Sequence, residues 1–140
     1  MAAWVLLRYL LVFSVGLQGW AAFYGHAFRS DLVAASIGWG PSPFEFEVAI
    51  ANLAFGTVGI LCFWMEGSFW TAVVIAASIW LWGDAIGHIK ELIVAHNHAP
   101  NNAGPALYSD LILPAALIIL FIVARPASSE LSAANTARSF

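Results

Sequence analysis

Charge is scarce in this chain of 140 residues: only 9% are Asp, Glu, Lys or Arg, against roughly 25% in an ordinary soluble domain. That scarcity excludes a water-soluble globular protein. Lysine and arginine together number five and the net charge is −3, which leaves no footprint for nucleic acid and no polybasic cluster for anionic lipid. Cys62 is the only cysteine, so an intramolecular disulfide and any multi-cysteine metal or iron–sulfur site are excluded. Lying inside an apolar run, it reads as a small buried hydrophobe.

What the chain has in abundance is apolar sequence, 61% of residues with a mean hydropathy of +0.84. The apolar residues gather into four runs, at about 4–24, 44–64, 69–93 and 106–124. Each run is roughly 19 to 25 residues long, enough for a helix to cross a hydrocarbon core of about 30 Å. A transmembrane barrel would need short strands of alternating polarity, which are absent from the sequence. The expected fold is an all-α, antiparallel four-helix bundle in the membrane, residues 1–125 forming one domain and 126–140 a flexible, polar, Ser/Ala-rich tail. The first run is too long for a signal peptide and Ala21-Ala22-Phe23 offers no cleavage pattern, so it reads as a permanent span. Trp4, Trp64 and Trp70 fall at one level of the spans and Trp20, Trp39, Trp80 and Trp82 toward the other, as interface anchors do.

The connections differ in length. Met65-Glu66-Gly67-Ser68 is so short that spans two and three should be antiparallel neighbours. Residues 25–43 are long enough to hold a short interfacial helix over Leu32 to Trp39, and residues 94–105, with His96, His98, Pro100, Asn101 and Asn102, read as a polar loop. Arg8, Arg125 and Arg138 stand on the side of the chain ends against Arg29 and Lys90 on the side of the long connections. The positive-inside rule then places both termini in the cytoplasm.

Six of the eight acidic residues and all four histidines collect toward the end of the long connections. An ionisable group within a span is costly unless paired, protonated, wetted or metal-bound, so such groups are functional candidates. Asp84, His88 and Glu91 follow at spacings of four and three and share one face of helix three. Gly83 and Gly87 form a small-xxx-small pair that would let a neighbouring backbone approach. Ser42-Pro43-Phe44-Glu45 fits a capping box with Glu45 reaching back to the cap. Glu47, about 200° around the helix from Glu45, has no such explanation and is the better site candidate, with Asn52 deeper on the Glu45 side. Pro114 should free the carbonyl of Asp110, four residues before it. Gln18 and His26 of the first span face the same level. Glu47, Asp84, His88 and Asp110, with His26 above them, thus form a candidate ligand set for Fe, Mn or Zn, supported by Asn52, Glu91 and Gln18. The same residues also suit a proton relay or packing glue between helices.

Gly25-His26-x-Phe28, Ile37-Gly38-Trp39, Ser42-Pro43-Phe44-x-x-Glu47, Ala51-Asn52-Leu53, Gly83-Asp84-Ala85-Ile86-Gly87-His88, Asn101-Asn102-Ala103-Gly104 and Asp110-x-x-x-Pro114 form an ordered series over about residues 20–120. In this series the chain resembles a group of small bacterial four-span membrane proteins of unknown function. The resemblance implies a bacterial membrane location and a four-helix fold, with motif positions at His26, Glu47, Asn52, Asp84, His88 and Asp110. Glutamine is usual in that pattern where this chain has Glu45, which speaks against a catalytic Glu45.

Three functions stay open on these residues. A metal or redox site near the outer face of a bacterial inner membrane leads, with a quinone-like molecule as a plausible substrate. The others are an accessory subunit of a larger membrane complex and an oligomeric proton, cation or small-solute transporter. The lipid bilayer is the one partner common to all three, and the sequence assigns no reaction.

Overall fold

The computed structural model describes residues 1–138, with side chains as far as Ala124. It is all-helical, with no strand among the described residues. Helix α1 spans Ala2–Phe28, α2 is the short Ser30–Ser36, α3 covers Phe44–Leu61, α4 Ser68–Val94 and α5 Pro105–Arg138. Four helices are long and apolar enough to cross a membrane: α1, α3, α4 and the Pro105–Ala124 part of α5. A helix satisfies its backbone polar groups internally, which is why such runs fold this way in lipid. The tail read at 126–140 has its side chains outside the described residues.

Helix ends follow local chemistry. Pro105 opens α5, where a missing N–H costs nothing. Gly67, with φ at +65°, turns the chain into α4. At the far end of α4 His96 takes a φ of +52°, and the Glu91 carbonyl accepts from both Ala95 and Asn97 amides. The short α2 is the interfacial helix expected between the first two spans.

Exposed apolar residues recur at helical spacing, Phe13, Leu17, Trp20 and Tyr24 on α1 and Ile75, Ile79, Trp82 and Ile86 on α4. These stripes face outward, toward lipid in a bilayer. Toward the chain ends the interior is packed with apolar side chains: Leu7, Leu11, Cys62, Trp70, Val74 and Leu117. Trp70 donates its indole N–H to the Cys62 carbonyl at 2.9 Å, closing the turn between α3 and α4. Arg8 pairs with Glu66 of that turn and lies 4.1 Å from the ring centroid of Trp4.

Consecutive spans are not the closest neighbours. As far as Leu10, α1 packs on α5, and α4 packs along α5. From Leu11 on, α1 packs on α3 instead. The change of partner coincides with a π-helical stretch, Leu11–Leu17, whose wider turn redirects the helix. Beyond it the crossing is backbone to backbone. A Cβ on Gly19 would lie 2.8 Å from the Cα of Gly56, and one on Gly59 would lie 2.5 Å from the Gly16 nitrogen. The small pair expected to draw helices together, Gly83 and Gly87, does not do so: a Cβ at either meets nothing within 4 Å. Nor do α3 and α4 pack as neighbours along their length, despite the short turn between them. They touch sparingly, because a cavity separates them at the end of the long connections.

Candidate functional site

The cavity holds about 470 Å³ and is lined from α1, α2, α3, α4, α5 and the connections above them. Val15 and Ala77 belong both to its lining and to the packed apolar core, so they form its floor. Phe55 and Trp80 line it too, with ring centroids 5.5 Å apart across the sparse α3–α4 seam. Gly83 and Gly87 contribute open wall in place of a helix contact.

His88 is the best-defined group in it. Asn102, fully buried, donates its amide to the carbonyls of Asn97 at 2.8 Å and His88 at 3.3 Å. Those two acceptors fix which end of the amide is oxygen. The oxygen faces His88 Nδ1 at 2.9 Å, so Nδ1 carries the proton and donates. In the neutral ring Nε2 is then the acceptor, and it faces the Asp110 carboxylate at 3.8 Å. Trp39 covers the ring, with centroids 6.2 Å apart. A buried asparagine thus chooses the tautomer, and the acceptor nitrogen is turned toward Asp110 on a wall that Asp84 also lines.

On the opposite wall His26 Nδ1 and the Glu45 carboxylate stand 2.6 Å apart, tying the end of α1 to the start of α3. The capping role expected of Glu45 is therefore not what the structure shows. Ser42 Oγ accepts from the Phe44 amide at 3.2 Å, while the Glu45 side chain reaches inward to His26. Glu47 is exposed and does not line the cavity. Glu91 also lies outside the lining; its carbonyl serves the end of α4. Gln18 and Asn52 do line it, Asn52 donating to Val48 of its own helix at 3.0 Å. Of the candidate ligands, Asp84, His88, Asp110 and His26 share the cavity, but His26 is held by Glu45 and Glu47 is outside. Among the described residues no three of His, Cys, Asp and Glu stand together so as to hold a metal ion.

Above the cavity the two long connections are bonded to each other. Asn97 donates to the Ile37 carbonyl at 2.8 Å and the Asn101 amide to the Ser36 carbonyl at 3.2 Å. Sequence reasoning missed Glu45, Asn102 and this cover. Helical phase was the available signal for Glu45: it precedes Asn52 by seven positions, on the face that carries Gly56 and Gly59.

No curated protein and no solved structure matches the chain. A family model matches residues 1–130, and the chain belongs to the family of unknown function DUF6790.

Proposed function

We propose that the protein binds a small polar molecule or head group at membrane depth, in the cavity between α3 and α4, with His88 as the group that exchanges a proton with it. The observation that carries this reading is the fixed tautomer of His88. A ring that served only packing would need no buried asparagine to present its acceptor nitrogen to a hollow. Asp84 and Asp110 supply acceptors around the same hollow, and the aromatic walls of Trp39, Phe55 and Trp80 suit a flat or apolar ligand body.

The packed apolar half beneath the cavity supports binding over conduction, because a polar track would have to cross Leu7, Leu11 and Leu117. All the residues invoked come from one chain, so the reading requires no second copy. In this reading the chain lies in a bacterial inner membrane with both termini cytoplasmic and the cavity toward the outer face.

The test is co-purification. Wild type and Gly87→Leu, which places a side chain in the open wall, are purified in mild detergent from the same membranes, and their organic extracts are compared by mass spectrometry. A compound present at near-stoichiometric level in wild type and absent from a folded Gly87→Leu variant supports the proposal. Matching extracts refute it.

A further inference from the structure

A second, smaller hollow of about 300 Å³ lies between α1 and α5. Its walls are largely apolar, with Leu10 on α1 and Ile112, Leu113 and Ala116 on α5. It meets the polar cavity at Ser14, Gln18 and Ser109, which line both. The backbone explains why it exists. The π-helical stretch carries α1 off α5 and onto α3, so the two helices part just beyond Leu10. Both walls belong to spans and Ile112 is exposed, which puts the cleft at the depth of lipid chains.

Resting on the binding role proposed above, we infer that this cleft seats the apolar chain of a single-chain amphiphile whose uncharged, hydroxyl-bearing head occupies the cavity. The head follows from the lining. Glu45, Asp84 and Asp110 bring carboxyl groups, His26 and His88 bring imidazoles, and no lysine or arginine lines the cavity. A phosphate or carboxylate head would meet those carboxyl groups with no fixed cation to receive it. Hydroxyls instead donate to the carboxyl oxygens and to the acceptor nitrogen of His88. The single chain follows from size: at about 30 Å³ per methylene, near a water molecule's share of liquid volume, the cleft holds one chain of roughly ten carbons. Ser14, Gln18 and Ser109 then stand where head and chain join.

Photolabelling tests this in the full chain reconstituted in nanodiscs, with sites mapped by peptide mass spectrometry. The probe is a monoacylglycerol carrying a diazirine in its chain; a second carries the diazirine on its glycerol head. The expected result is chain labelling of Leu10, Ile112 and Ala116 at least fivefold above Ile75 and Ile79 of α4, which face outward with no cleft beside them. Ala116→Phe should abolish that enrichment. Ile112→Trp, changed at an exposed position, should do the same and guards against misfolding of the first variant. The fatty acid with the same diazirine-bearing chain should show no enrichment. Even labelling of cleft and control residues, enrichment that survives both variants, or equal enrichment with the fatty acid would each overturn the inference. Head labelling of cavity residues without chain labelling in the cleft overturns the inference alone. Loss of both sinks the binding proposal with it.

Discussion

The same substitution should have opposite signs at two glycines of this bundle. At Gly59 a Cβ would sit 2.5 Å from the nitrogen and 2.7 Å from the Cα of Gly16, with the Leu11 carbonyl oxygen at 3.0 Å. All three neighbours are backbone, so no side chain can swing aside. Reaching an ordinary contact of 3.4 Å requires α1 and α3 to part by nearly 1 Å there. A gap of that size forfeits a quarter to a half of each dispersion contact along the crossing, and overpacking of this kind costs about 1–3 kcal/mol. Alanine returns at most about 1 kcal/mol through helix propensity. Gly59→Ala should therefore destabilise by about 1–2 kcal/mol. At Gly83 a Cβ meets nothing within 4 Å, and Gly83→Ala should be neutral or stabilising by up to about 1 kcal/mol. The two variants should differ by about 2–3 kcal/mol, on the order of a hundredfold in the unfolding equilibrium. Unfolding in mixed detergent micelles, followed by tryptophan fluorescence and circular dichroism, measures both. Equal stabilities would refute the assignment of Gly59 to a backbone contact and of Gly83 to open cavity wall.

Other outcomes follow from single contacts. Asn102→Leu leaves His88 Nδ1 and the carbonyls of His88 and Asn97 without their partner and should cost about 3 kcal/mol, well above Asn52→Leu, whose only printed bond stays within its own helix; micelle unfolding compares the two. Glu45→Gln keeps an acceptor for His26 and should retain wild-type stability, whereas Glu45→Ala should lose about 1–2 kcal/mol and loosen the start of α3 in hydrogen exchange. Glu66→Gln should cost under about 1 kcal/mol, because the Glu66 side chain is 42% exposed and exposed ion pairs contribute little; a loss above 2 kcal/mol would contradict that account.

Spans, turns and the interfacial helix were legible because each is written locally, in run length and in glycine or proline at the ends. Which helices touch was less legible. The short turn before α4 fixed the connection of α3 to α4 but not their packing, since neighbours are chosen by surfaces remote in sequence. Gly83 and Gly87 match the small-xxx-small spacing as well as any pair. Only the partner's absence makes them cavity wall, and that is a tertiary fact. Asp84, His88 and Asp110 were found because ionisable groups in a span stand out by cost. Glu45 was misassigned because two local rules competed: the capping pattern explained it, while its phase with Asn52, Gly56 and Gly59 pointed inward. Asn102 carried no signal at all, since an asparagine in a loop is ordinary until its burial is known.

The π-helical stretch in α1 also makes that helix sensitive to length. A residue removed from a helix turns everything after it by about 100°. A one-residue deletion within Leu11–Leu17 would relax the wide turn into ordinary α-helix and rotate Gly19 off Gly56 and His26 away from Glu45, with every side chain in both pairs intact. Point substitutions along this segment should be absorbed readily, while single insertions and deletions should not, so the count of residues between Leu10 and Gln18 is itself part of the site.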